Sequence, residues 1–204
     1  KCRDELNLKT LAIEEGSDIG GTWYWNRYPG ARCDSESHTY GYTFSEKIYK
    51  NWTWKEKYPK QNTILKYLKY VEKKLDLKKD ILFNNKIISA KYSERKNLWL
   101  IKTNKNKVLL CKYLICAVGS LSSANIPKIK GLNTYEGKYY HTGRWPKKKV
   151  NFKNKVVAQI GTGSSGIQVA PTIAKKVKKL VIFQRTPNYS IPARNKKLTK
   201  EIIN

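Results

Sequence analysis

The 204-residue sequence has no methionine, two histidines, four cysteines and 15 acidic residues set against 42 basic ones. A chain that opens on Lys1 and lacks methionine throughout reads as an internal piece of a longer translation product, so no targeting signal is sought at its start. Cys2, Cys33, Cys111 and Cys116 form no CxxC pair and no His/Cys cluster of zinc spacing. No metal site is expected. The thiols read as reduced, as in a cytoplasmic protein, with Cys111 and Cys116 in an apolar strand run. No apolar stretch approaches the length of a membrane-spanning helix, so no membrane partner is expected.

Arginine is scarce as well. Only Arg3, Arg27, Arg32, Arg95, Arg144, Arg185 and Arg194 occur, and the other 35 basic residues are lysine. The formal charge of +27 would suit a polyanion partner. The lysines are scattered, however, asparagine is abundant beside them, and no nucleic-acid module is present. The charge reads as solvated surface and coding bias, and no nucleic-acid partner is expected; steep salt dependence of duplex binding would say otherwise.

The chemistry lies in a glycine-rich turn, Gly161-Thr162-Gly163-Ser164-Ser165-Gly166. The apolar run Val156–Ile160 precedes it, a helical pattern over 164–176 follows, and Leu180–Phe183 closes a strand–helix–strand unit. Pro171 predicts a kink or a displaced first turn. In such a unit the first glycine makes the tight turn, the second admits a pyrophosphate and the third lets helix pack on strand. Ile167 follows on the first helical turn. Where NAD-binding units place a carboxylate, about 20 residues past the glycines, this chain has Gln184-Arg185-Thr186. Arg185 offers a fork of donors for a 2′-phosphate, which reads as NADP; its alternative is a plain surface arginine.

Upstream, Leu8–Glu14 reads as a strand ending on an acid, the pattern of a second dinucleotide-binding unit in which Glu14, or its neighbour Glu15, holds a ribose diol; the alternative for either is a plain surface carboxylate. The glycine turn of that unit is expected before Lys1. Residues 20–34, with Gly20, Gly21, Thr22, Trp23, Tyr24, Trp25, Pro29, Gly30, Arg32, Cys33 and Asp34, suit neither regular helix nor strand. They read either as flat side chains presented to a planar cofactor or as an aromatic cluster under a loop. Gln61–Leu75 is an amphipathic, core-packing helix. Strands over 81–92, 98–103 and 108–119 predict an antiparallel meander, and Pro127 with residues 129–137 marks a linker.

The segment Tyr135-x-Gly137-x-x-x-His141-x-x-x-Trp145-Pro146 resembles the fingerprint F-x-G-x-x-x-H-x-x-x-W-[P/D] of the Baeyer–Villiger monooxygenases, with Tyr for the initial Phe. The loop 20–34, the turn 161–166 and Gln184-Arg185-Thr186-Pro187 resemble that family's flavin loop, NADP turn and 2′-phosphate strand end. The resemblance runs from about residue 8 to the C-terminus. It implies an α/β fold of two dinucleotide-binding, Rossmann-like domains, both incomplete, with the meander in the first. Residues 1–134 would form the FAD-binding domain, 135–150 the linker and 151–204 the N-terminal part of the NADP-binding domain.

The implied activity inserts one oxygen atom of O2 into a ketone, giving an ester or lactone through a C4a-peroxyflavin, with FAD and NADPH as cofactors. The alternative is a related flavin monooxygenase that oxidises amine nitrogen or sulfide sulfur. By the same resemblance Glu14, Thr22, Trp23, Trp25, Asp34 and Tyr40 contact FAD, and Asp34 acts catalytically by orienting an active-site arginine. Arg32 and Cys33 lie with Asp34 towards the nicotinamide. Gly161, Thr162, Gly163, Ser164, Ser165, Gly166, Ile167, Arg185 and Thr186 hold NADP. His141 is expected to be a linker residue rather than an acid–base catalyst. The family's peroxide-stabilising arginine would lie beyond Asn204, so the isolated chain is expected to be inactive and to bind FAD poorly. Substrate and oligomeric state are not legible in the sequence.

Overall fold

The computed structural model describes residues 1–199; the last five residues of the expected NADP unit, 200–204, lie outside the described residues. The first unit opens on a parallel pair, β1 (Ala12–Ile13) with β2 (Ile81–Leu82). The strand expected over 8–14 is thus two residues long. A parallel strand runs only as far as its partner, and β2 begins at Ile81, straight after the 3₁₀ turn Lys78–Asp80. Backbone bonds from Glu14 N to Leu82 O and from Asn85 N to Glu14 O tie Glu14 in at the C-terminal end of the pair.

The expected strand over 81–92 is broken in two. Asn84 adopts a left-handed conformation (φ 55°), which asparagine tolerates. Asn85 is buried, donates to Phe83 O at 2.7 Å and accepts from Thr103 Oγ1 at 3.3 Å. This corner redirects the chain into β3 (Ile87–Ser93), which with β4 (Leu98–Thr103) and β5 (Val108–Cys111) forms the antiparallel meander in the order β3-β4-β5.

The third expected strand, 108–119, stops at Cys111. Trp99 pairs with Cys111, and β4 begins one residue earlier, so its ladder bonds run out at Leu98. Tyr113, Ile115 and Val118 lie beyond it, 71–76% exposed and without a partner strand among the described residues.

Between the first strands lie three one-turn helices, α1 (Thr22–Trp25), α2 (Ser37–Tyr40) and α3 (Glu46–Tyr49), and the long helix α4 (Gln61–Leu75). The predicted bounds of α4 hold. It ends where Asp76 turns left-handed (φ 47°) and its N–H caps the last carbonyls. Ile64, Tyr67 and Val71 recur at helical spacing and are buried with Cys33, Ile48 and Trp54 to make the core; Trp23, Trp52, Leu68, Tyr70, Leu75 and Leu198 pack around it.

Residues 112–155 carry no strand and only two single 3₁₀ turns. The second unit is β6 (Val156–Ile160), α5 (Ser164–Ala174) and β7 (Lys179–Phe183), its strands parallel and in full register from Val156↔Lys179 to Ile160↔Phe183. Helix α5 ends at Ala174 rather than 176, the last turn passing through Lys176 and Val177 N–H bonds to Ile173 O. Pro171 sits inside α5, which buries Val169 and Ile173. The chain then returns to the first unit: Lys57 N donates to Lys196 O at 2.9 Å and Leu198 N to Lys55 O at 3.0 Å.

Candidate functional site

The turn between β6 and α5 is built for an anion. Gly161 has φ 93°, a conformation costly for any side chain, and a Cβ placed on Gly161 or Gly163 would meet nothing within 4 Å. The space over the turn is open. Helix α5 has 11 residues, and its N-cap, Gly163, offers no side-chain acceptor. The first amides therefore keep their donors and the positive end of the helix dipole for a ligand. Gly166 is needed for contact instead, because a Cβ there would lie 2.6 Å from Gly161 O. These residues fit a dinucleotide pyrophosphate.

Gln159, which the sequence reading passed over, braces the turn from below. Its Nε2 donates to Gly161 O at 3.0 Å and to Gly166 O at 3.2 Å, tying the first glycine to the last. It takes carbonyls only and leaves the amides alone. The strand end is tied in as well: Gln184 Nε2 donates to Thr162 Oγ1 at 2.6 Å and Asn188 Nδ2 to the same oxygen at 3.3 Å. Arg185 and Thr186 stand exposed beside this anchor. Arg185 makes no ion pair among the described residues.

In the first unit Glu14 directly follows β1, and its Oε1 accepts from Gly16 N at 2.6 Å. That bond holds the carboxylate at the strand tip. The loop 20–34, read from the sequence as neither helix nor strand, carries the one-turn helix α1, and part of it packs as an aromatic cluster. Tyr24 is buried and Trp23 packs against the core, whereas Thr22 is exposed and Trp25 half-buried. Trp23 Nε1 donates to Tyr40 Oη at 2.8 Å, the rings edge to face at 6.0 Å. Asp34 is exposed next to buried Cys33, whose thiol is pushed up by burial. Arg32 donates to Tyr58 O at 3.1 Å and lies 3.7 Å from Glu56. Thus Trp23 meets Tyr40, Glu14 meets Gly16, and Arg32 turns towards residues 56–58 rather than towards Asp34.

Residues 144–147 are stapled to this loop by cations on aromatic faces. Arg144 stands 5.0 Å over the Trp25 ring, and Lys147 stands 5.2 Å over Tyr24 while donating to Ser17 Oγ at 3.0 Å. His141 Nδ1 accepts from Gly143 N at 3.1 Å and so caps the 3₁₀ turn Thr142–Arg144.

Burial works against ionisation of Tyr24, but hydrogen bonds from Lys147 and Ser17 outweigh it and bring the phenol down to about 8. Tyr40 and Tyr67 go the other way, raised by burial. Because the folded value lies below the ordinary phenol's, of about 10, ionised Tyr24 adds stability that is complete above the unfolded value and is lost as pH falls through 8. Phenolate absorbance should therefore reveal one tyrosine titrating near pH 8, and Lys147→Gln should move it upward. A titration identical in both proteins would refute this contact.

A parallel strand–helix–strand unit with an open glycine turn, beside a second unit of mixed helix and strand, defines a dinucleotide-binding protein. The model of the flavin-binding monooxygenase-like family matches residues 1–197, and the chain belongs to that family. It is 44% identical over 203 residues to cyclohexanone 1,2-monooxygenase of an Acinetobacter species, covering 100% of this chain and 37% of that protein. To the 2-oxo-Δ3-4,5,5-trimethylcyclopentenylacetyl-CoA monooxygenase of Pseudomonas putida it is 40% identical, covering 97% and 37%. The crystal structure of cyclohexanone monooxygenase from Rhodococcus sp. Phi1 bound to NADP+ superposes with a TM-score of 0.94 at 44% identity, over 98% of this chain and 38% of that one. The chain spans somewhat more than a third of the length of these relatives. Among the described residues no helix is long and apolar enough to cross a membrane.

Proposed function

We propose that this chain forms the dinucleotide-handling part of an FAD- and NADPH-dependent monooxygenase of the Baeyer–Villiger type, cytoplasmic, which adds one oxygen atom of O2 to a small ketone. The observation that carries the reading is the open, uncapped turn Gly161–Gly166 tied through Thr162 to a strand end that presents Arg185 and no carboxylate. Residues 1–134 are the FAD unit, 135–150 the linker and 151–204 the NADP unit. When bound, the flavin supplies the redox chemistry and NADPH the hydride.

The residues divide the remaining work. Amides at Gly163–Gly166 bind the pyrophosphate, with Ile167, whose own N–H bonds to Gly163 O, beside them on the first turn, and Arg185 with Thr186 binds the 2′-phosphate. Glu14 accepts from a ribose diol, while Thr22, Trp23, Trp25 and Tyr40 shape the flavin's surroundings. Asp34, with Arg32 and Cys33 beside it, faces the place where the two cofactors meet; its exposed carboxylate is free to orient a cationic partner. Relatives named for ketone substrates support oxygen insertion at a carbonyl.

Calorimetric titration with NADP+ and NAD+ tests the reading. Arg185→Ala is expected to lower NADP+ affinity about 10- to 100-fold, the worth of a charged hydrogen bond or two, and to leave NAD+ unchanged. Equal affinities for both nucleotides, indifferent to Arg185, would sink it. Product analysis with a ketone, a sulfide and an amine then separates carbonyl insertion from heteroatom oxidation.

A further inference from the structure

One side chain joins the two units more closely than any other. Gln168 lies on the second turn of α5, and its Oε1 accepts from Tyr28 Oη at 3.0 Å and from Arg32 N at 3.1 Å, while its Nε2 donates to Arg32 O at 3.2 Å. Both lone pairs of the amide oxygen and one of its two N–H groups are thus used on a single loop. The pair of bonds to Arg32 resembles one rung of a sheet, with a side-chain amide in place of a neighbouring strand. The fit is close on the backbone side too. Gly30, at φ 85°, sits against Gln168 O, and a Cβ there would lie 2.5 Å from Thr172 Oγ1, which itself donates to Gln168 O at 3.1 Å.

The two ends of this contact carry different chemistry. Gln168 follows the glycine turn by two residues on the same rigid helix, whereas Arg32 precedes Asp34 by two on the loop. Three bonds to groups on both sides of Gly30 fix rotation as well as distance, which a single contact would not. Another tie, Asn195 to Glu56 at 3.0 Å, lies on an irregular segment and does not hold α5.

Resting on the function proposed above, we propose that Gln168 is a positioning residue: it sets the orientation of α5, and with it the bound nicotinamide nucleotide, against the loop 28–34 beside the flavin. Gln168 touches neither cofactor in this role. Its amide takes no part in holding the pyrophosphate, so the nucleotide's affinity and its alignment are set by different groups.

The test uses the product of the complete gene, purified with its flavin, as Gln168→Leu, Gln168→Glu and the unsubstituted protein. Leucine keeps the bulk and loses all three bonds. Glutamate keeps the two acceptor bonds and loses the donor. For Gln168→Leu, NADP+ affinity is expected to stay within about twofold, while anaerobic flavin reduction by NADPH slows about 10- to 100-fold, as for a misplaced reacting pair. Hydrogen exchange should rise at Arg32. Gln168→Glu should recover part of both the rate and the protection. Unchanged reduction in Gln168→Leu, or unchanged protection at Arg32, would overturn the positioning role and leave the function intact. A fall in NADP+ affinity matching the fall in rate would also overturn it, making Gln168 a binding residue. No flavin reduction by NADPH in the unsubstituted protein would overturn the functional reading itself, and this inference with it.

Discussion

Gly30→Ala is expected to unseat the loop 28–34 from helix α5, at a larger cost than most glycine substitutions. Two effects act together. The residue sits at φ 85°, where a side chain is strained by about 1–3 kcal/mol. The new methyl group would also press on Gln168 O and Thr172 Oγ1, and overpacking of this kind costs about 1–3 kcal/mol more. Backbone cannot move aside as the end of a flexible side chain does, so the loop must lift and the bonds from Gln168 to Tyr28 and Arg32 go with it. Gly21→Ala is the control: φ there is 48°, yet a Cβ would meet nothing within 4 Å. Denaturant midpoints should therefore fall further for Gly30→Ala than for Gly21→Ala, with added hydrogen exchange at residues 28–32 in the first alone. Equal losses in the two proteins would mean that the contact with α5 carries no weight.

The second large effect is in the core. Tyr67→Ala is expected to cost about 3–5 kcal/mol, the range for emptying a buried aromatic site. Tyr67 is 2% exposed, and its ring lies 4.9 Å from Trp54, 5.2 Å from Trp52 and 6.0 Å from Tyr42. Tyr67→Phe keeps those ring contacts and removes only the acceptor for Tyr42 N, at 2.6 Å. Tyr42 is 43% exposed, so water is at hand near the released N–H and the loss should be about 1 kcal/mol. Against the 5–15 kcal/mol that hold a typical domain together, the alanine variant approaches unfolding and the phenylalanine variant does not. Urea midpoints for the two proteins measure the difference. Similar losses would show that the hydroxyl, not the ring, holds this cluster.

Local signals were legible where one short stretch carries the whole reason for a structure. The amphipathic spacing of Ile64, Leu68, Val71 and Leu75 set α4, with bounds that agree at both ends. Gly161 to Gly166 between two apolar runs set the strand–turn–helix unit, because glycine conformations and helix periodicity depend on near neighbours. The meander was legible in kind but not in length. Its third strand looked long because residues 113–119 are apolar, yet a strand needs a ladder partner, and β4 begins at Leu98.

The pairings between distant residues were beyond the sequence. Composition and motif set the family, the glycine turn and the missing carboxylate at Arg185, since each depends on residue type at fixed spacing. Only the tertiary structure decided that Gln168 bonds to Arg32, 136 positions away, that Lys147 covers Tyr24, and that Gln159 braces the turn. An amide or an ammonium group is an ordinary surface side chain until folding places a partner within hydrogen-bond reach. Their roles come from the geometry that brings two units of chain together, and no local pattern encodes that geometry.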